Sequence, residues 1–110
     1  MTRELILKDT FLDNLLEIES YLSQFISVKN ARKLPTEAIG FISDIIVSNP
    51  YAFVKYESRF PENMNIRRAV FKRKYYIIYE VFDDKIEILN IHHTSRDPNQ
   101  DNPKEEEEEE

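Results

Sequence analysis

Two adjacent histidines and a cluster of cations are the side chains in this sequence best suited to chemistry. His92 and His93 stand together. Arg67, Arg68, Lys72, Arg73 and Lys74 lie upstream, and Arg96 follows in the run His93-Thr94-Ser95-Arg96. Histidine titrates near neutral pH and can act as general acid or base. Arginine and lysine neutralise phosphate or acidic side chains. The combination suits two tasks. One is gripping an anionic or acidic macromolecule, for which Arg67, Arg68, Lys72, Arg73, His92 and Arg96 are the target-binding candidates. The other is RNA cleavage, which needs help for the attacking 2′-hydroxyl, a proton for the leaving 5′-oxygen and cations for the pentacoordinate phosphate. For that task His93, Arg96 and Arg67 are the catalytic candidates, His92 could replace His93, and Glu57 is the carboxylate available as base. Each residue also has a plainer reading. Strand arginines pair with acids such as Glu80, Asp83 and Glu87, and a histidine at a strand end is more often a hydrogen-bonded cap.

Other chemistries are disfavoured. The chain has no cysteine, so a thiolate metal site, a cysteine nucleophile and a disulfide framework are excluded. Neighbouring strand residues face opposite ways, so His92 and His93 cannot easily share one metal ion. Gly40 is the sole glycine, which leaves no phosphate-cradling loop. No cofactor is expected. No apolar run approaches the ~18 residues of a membrane span, and Met1-Thr2-Arg3-Glu4 does not open a signal peptide. These features fit a cytoplasmic protein.

The formal charge of −6 conceals local imbalance. Six of the 21 acids form the run Glu105–Glu110, and the remaining 15 balance the 15 basic residues. Between Arg59 and Tyr76, Arg59, Arg67, Arg68, Lys72, Arg73 and Lys74 face one acid, Glu62. Such a patch favours an anionic partner, although basic residues also protect exposed strand edges.

The elements that must position these residues follow from periodicity. With 110 residues and 41% hydrophobic content, one globular domain is expected. Residues 3–8 read as a strand. Apolar residues at 11, 12, 15, 16, 18, 22, 25 and 26 form a helical stripe. A first helix is expected over 10–26, with Thr10 as cap. Ala31, Leu34, Ala38, Phe41, Ile42, Ile45 and Ile46 continue in helical phase, interrupted by Pro35. Proline costs about 3 kcal/mol inside a helix but is tolerated in a first turn. Either one helix over 28–48 kinks at Pro35, or the long helix starts near Leu34. The shared phase favours the kinked helix, and Asn49-Pro50 ends it.

Residues 50–65 read as an irregular segment whose aromatics, Tyr51, Phe53, Tyr56 and Phe60, plug the edge of the core. The stretch 66–93 is rich in β-branched and aromatic residues. Strands are expected over 66–73, 75–82 and 85–93, with a turn at Asp83-Asp84. Parity places Arg67, Ala69 and Phe71 on one face of the first of these and Ile66, Arg68 and Val70 on the other. In the last, Ile86 and Ile88 should face one way and Leu89 and Ile91 the other, as suits an interior strand buried on both sides. The expected fold is α+β: an N-terminal strand, a two-helix antiparallel hairpin, then a three-stranded antiparallel meander in one twisted sheet. Residues 1–98 form the domain, and 99–110 read as a disordered acidic tail.

That layout resembles the RelE/ParE toxins of bacterial type II toxin–antitoxin modules. The likeness rests on Ile66-Arg67-Arg68, on Tyr75-Tyr76-Ile77-Ile78-Tyr79-Glu80-Val81, on Asp83-Asp84-Lys85-Ile86-Glu87-Ile88-Leu89 and on His93-Thr94-Ser95-Arg96-Asp97-Pro98. The resemblance implies helices packed on an antiparallel sheet and a cognate antitoxin that wraps the toxin in a hetero-oligomer. It also implies growth arrest and plasmid stabilisation as the biological setting. In the RelE branch the target is the ribosome with its mRNA, which the toxin cleaves. In the ParE branch it is DNA gyrase, which the toxin poisons without a known nuclease activity. Two departures favour ParE. Ala69 and Tyr76 stand where the RelE-type pattern carries cations, and the close His93-x-x-Arg96-Asp97-Pro98 looks more like ParE. By analogy with oxyanion-hole donors, each lost cation removes roughly 2.7–4 kcal/mol of transition-state stabilisation. The alternatives are a RelE-like mRNA endoribonuclease, or a detoxified relative that only binds its antitoxin.

Overall fold

In the computed structural model, residues 3–56 and 64–95 are described. The elements are β1 (Glu4–Leu7), α1 (Asp9–Leu22), α2 (Val28–Ala31), α3 (Lys33–Phe41), a π-helical turn (Ile42–Ile46), β2 (Val54–Lys55), β3 (Ile66–Phe71), β4 (Tyr75–Val81) and β5 (Lys85–His93). The strands form one five-stranded sheet in the order β1-β5-β4-β3-β2. The expected meander is its centre: β3–β4 and β4–β5 are antiparallel. The N-terminal strand adds in parallel beside β5, Leu5 opposite Ile86, so the sheet is mixed and β5 is interior.

Helix α1 is shorter than its apolar stripe. It starts at Asp9 after Lys8, and no side chain caps it, so the expected Thr10 cap does not form. Asp9 instead lies in the first turn, where a carboxylate favours the positive helix end. Beyond Leu22 the backbone tightens, with the amides of Phe25 and Ile26 bonding to the Leu22 carbonyl.

The second helical segment is not one kinked helix. It breaks at Arg32, three residues before Pro35. Ser27 caps α2 by accepting from the Asn30 amide at 3.1 Å. Pro35 then falls in the first turn of α3, where its missing N–H costs no helical bond. The helix widens at Ile42–Ile46, with Ile42 and Ile46 both buried against the sheet.

The segment after Asn49 also differs from an irregular loop. Val54–Lys55 pairs antiparallel with Arg67–Arg68 and supplies the outer strand β2. Phe53 packs on the main core, and Tyr56 is buried with Ile66 and Ile78. Tyr51 remains half exposed. Phe60 lies outside the described residues, as do Glu57, Arg59, Arg96 and the tail over 99–110.

One apolar core fills the space between the helices and the sheet. Phe11 and Leu15 from α1, Leu34 and Ala38 from α3, and Ile42 and Ile46 meet Ala69, Phe71, Ile77, Tyr79, Ile86, Ile88 and Ile91. The parity expected for β3 is present: Ala69 and Phe71 join this core, and Ile66 belongs to the opposite face. The parity expected for β5 holds for Ile86, Ile88 and Leu89 but not for Ile91. Ile91 shares the helix-side core with Ile86 and Ile88, whereas Leu89 packs with Ile66 and Ile78 on the other face. The cause is a register shift opposite Ile78/Tyr79: Ile78 pairs with Asn90, but Tyr79 pairs with Ile88. The extra residue resets the alternation. Asn90 stabilises the irregularity, its side-chain oxygen accepting from the Ile91 amide at 2.8 Å and from the Asn14 side chain of α1.

Strand β3 ends at Phe71, not residue 73. Lys72 and Arg73 have φ of 56° and 63°, and the Lys74 amide bonds to the Phe71 carbonyl at 3.1 Å. Two successive positive φ values define a type I′ turn, whose twist suits a hairpin but which favours Asn-Gly. Each side chain held there costs on the order of 1–2 kcal/mol.

Candidate functional site

The sheet separates the cationic residues. Arg67 lies opposite Tyr79 at the β3 end nearest the segment before β2. Its guanidinium is occupied by the chain itself. Nε donates to Asn65 Oδ1 at 3.0 Å, and Nη1 donates to the Phe53 carbonyl at 2.7 Å. The group also lies over the Tyr51 ring, 5.0 Å from its centroid. Arg67 thereby ties residues 51–53 to β3.

Beside it, the Tyr79 hydroxyl donates to the Pro50 carbonyl at 2.7 Å in a buried bond. Burial pushes the phenol from 10.0 up to about 12, opposed by the positive charge of Arg67. On the same rim Arg3 donates to the Phe82 carbonyl at 2.7 Å and stacks on Tyr51. Sequence pattern did not single out this anchorage, because no local motif marks a carbonyl as an arginine's partner.

Arg68 points to the face that carries no helix. It sits between two rings, 5.0 Å from Tyr56 and 4.4 Å from Tyr76. His92 lies edge-on to Tyr76, with centroids 5.8 Å apart and planes at 76°. This histidine is 95% buried, the sole buried polar residue among those described. Below them, Tyr56, Ile66 and Ile78 form a second small core flanked by Met64 and Leu89. Glu80, on β4, has its carboxyl pKa raised by burial and by the neighbouring Glu87, against the pull of Lys85.

The remaining cations gather at the β3–β4 turn. Lys72 Nζ meets Glu37 of α3 at 2.8 Å. Both are nearly half exposed, so the pair contributes little, about 0–1 kcal/mol. Arg73 and Lys74 border an open cleft of about 810 Å³ between α1 and the end of β5. Glu17 and Tyr21 form its α1 wall. His93 and Ser95 close its far side. Tyr75 lies in it with its pKa raised by burial, partly offset by Lys72, and so remains a neutral phenol. His93 meets the Tyr75 ring edge-on, with centroids 5.4 Å apart and planes at 81°. The Ser95 amide donates to His93 Nδ1 at 3.0 Å. In the neutral ring this places the proton on Nε2.

His92 and His93 therefore serve different faces, as strand alternation requires. His92 accompanies Arg68, Tyr56 and Tyr76; His93 accompanies Arg73, Lys74 and Tyr75. The acids expected as strand partners do not engage Arg67 or Arg68. Among the described residues, the carboxylate pairs are Lys72–Glu37 and Lys85–Glu87, and no group of histidine and carboxylate side chains could hold a metal ion.

Several large apolar side chains are exposed on α1, on the segment after it and at the start of α2. Leu16, Tyr21, Phe25, Ile26 and Val28 each show over 40% of their surface. The Tyr21 and Phe25 rings meet with centroids 5.0 Å apart and planes tilted at 57°. None of the described helices is long and apolar enough to cross a membrane.

Comparison with known proteins places this geometry. Among solved structures, a chain of the chromosomal ParDE toxin–antitoxin system from P. aeruginosa superposes with a TM-score of 0.69 at 16% identity, covering 84% of this chain and 96% of that one. The conserved hypothetical protein HP0894 from Helicobacter pylori superposes with a TM-score of 0.55 at 18% identity, covering 87% and 98%. Both show likeness of fold. No curated protein matches the sequence. The family model for the ParE toxin of type II toxin–antitoxin systems, parDE, matches residues 5–98. The chain belongs to the ParE toxin family of type II toxin–antitoxin systems.

Proposed function

We propose that this chain is the toxin of a type II pair, neutralised by a cognate antitoxin, and that it acts by gripping and poisoning an essential target such as DNA gyrase. The separation of Arg67 from His93 carries the preference for gripping over cutting. RNA cleavage needs acid, base and cations at one phosphate. Here Arg67 is held by the Phe53 carbonyl opposite Tyr79, His93 lies opposite Tyr75 beside Arg73 and Lys74, and His92 takes the other face. Such an arrangement suits a broad protein contact better than a single reacting centre. The exposed apolar side chains of Tyr21, Phe25, Ile26 and Val28, at the end of α1 and the start of α2, support an antitoxin whose amphipathic segment covers the helices.

A second reading keeps one specific observation. Arg68, Tyr56, Tyr76 and His92 converge on the helix-free face, and a base stacked there would favour a RelE-like mRNA endoribonuclease. Expression without antitoxin, followed by primer extension on cellular mRNA, separates the two. DNA damage with intact mRNA supports the gripping toxin. Cuts at codon positions within minutes overturn it in favour of the nuclease. Absence of growth arrest leaves only a detoxified antitoxin-binding relative.

A further inference from the structure

The cleft between α1 and the β3–β4 turn lies on the helix side of the sheet, away from Arg68 and His92. Its volume, about 810 Å³, falls within the range of small-molecule sites. Its chemistry is divided. Arg73 and Lys74 line the turn side, and among the described residues no carboxylate pairs with either. Glu17 and Asn14 line the α1 side. The Asn14 amide nitrogen already donates to Asn90, which leaves its oxygen as an acceptor. Tyr21 supplies exposed aromatic surface between the two ends, Tyr75 forms the buried floor, and His93 offers its Nε2 proton. Arg73 is held at this rim in a left-handed conformation that a glycine would adopt freely. Backbone strain of this sort collects where a side chain has a task at that position.

We propose that this cleft binds a 5′-phosphorylated nucleoside with an amino-bearing base, its phosphate at Arg73 and Lys74 and its base on Tyr21. Cations of this type bind phosphate by charge-assisted hydrogen bonds. Aromatic side chains stack on bases without regard to sequence. The Glu17 carboxylate presents acceptors alone and so complements an exocyclic amine such as that of adenine, while Asn14 keeps its oxygen and one N–H. Purely anionic ligands gain nothing from Glu17, which repels them. The ligand could be a free mononucleotide or the 5′-end of a strand, since both offer the same groups.

The test is titration of the full chain with adenosine 5′-monophosphate, followed by amide chemical shifts. Shifts should concentrate at residues 14–22, 73–75 and 93–95, with a dissociation constant below about 1 mM. Inorganic phosphate and adenosine should each bind at least ~10-fold more weakly than the nucleotide. R73A/K74A should weaken nucleotide binding by a similar factor or more. Glu17→Ala should abolish the preference for adenosine over thymidine monophosphate, because thymine lacks the amine. A 5′-phosphorylated oligoadenylate that binds more tightly than the mononucleotide assigns the site to a strand end; equal or weaker binding assigns it to the free nucleotide. The proposal fails if the nucleotide shifts nothing at these residues, or if R73A/K74A binds it unchanged while remaining folded. It also fails if inorganic phosphate matches the nucleotide, or if hexaglutamate displaces it at equal concentration. None of these readouts depends on toxicity or on the identity of the protein target.

Discussion

Arg67 offers the sharpest test of how this toxin's structure relates to its action. Its guanidinium donates to the Phe53 carbonyl and to Asn65, and it lies over Tyr51. Arg67→Met keeps the aliphatic stem and removes all three interactions. A hydrogen bond from a charged donor contributes about 1.5–3 kcal/mol. Both bonds are partly buried, so water recovers some of that, and the lower end applies to each. The exposed cation–π contact adds about 0.5–1 kcal/mol. The expected loss is about 3.5–4 kcal/mol. For a domain near 100 residues each kcal/mol lowers Tm by roughly 4–8 °C, so the melt should fall by roughly 14–32 °C. Amide exchange should accelerate at Tyr51–Tyr56, because β2 loses its anchor beside β3. Toxicity should fall in step with the folded fraction at the growth temperature. A variant that melts with the parent yet loses toxicity would refute this reasoning and make Arg67 a direct contact with the target.

Three other outcomes follow from the same coordinates. Tyr79 holds its proton up to about 12 when folded against 10.0 ordinarily, so its contribution is fully present below pH 10 and declines by about 1.4 kcal/mol per pH unit as pH rises from there towards 12. Tyr79→Phe should flatten that alkaline decline while costing about 1–3 kcal/mol at pH 7 for the orphaned Pro50 carbonyl, both read from urea melts across pH. Gly40→Ala should stabilise by about 0.4–1 kcal/mol in the same assay, since Gly40 has no positive φ and an added Cβ would meet nothing within 4 Å. K72N/R73G installs the residues a type I′ turn prefers and should raise stability by on the order of 1–2 kcal/mol, less the small Glu37 pair, while weakening nucleotide binding at the adjoining cleft.

The parts of this fold visible in the sequence are those set by local period. The stripe from Phe11 to Leu22 and the alternation in 66–71 and 75–81 place α1, β3 and β4 within a few residues, because one buried face repeats at the spacing of the element. The parts that were not visible depend on partners far along the chain. Strand β2 is only Val54–Lys55 and exists because Arg67 and Arg68 offer it an edge. The bulge at Leu89–Asn90 depends on a contact with Asn14, so alternation alone put Ile91 on the wrong face. Pro35 illustrates a choice between two local rules, and first-turn tolerance prevailed over helical phase. The candidate site shows the same division. Composition gathered the cations around the hairpin. The sheet then sorted them by face and by occupancy, and no linear motif carries that information.

We propose that this ParE-family chain poisons its target by contact and leaves nucleic acid uncut. The direct measurement incubates the purified chain with purified DNA gyrase and supercoiled plasmid, and in parallel with translating ribosomes on a defined mRNA. Accumulation of gyrase-linked cleaved plasmid with intact mRNA is the predicted result. Cleaved mRNA with gyrase running undisturbed would contradict it.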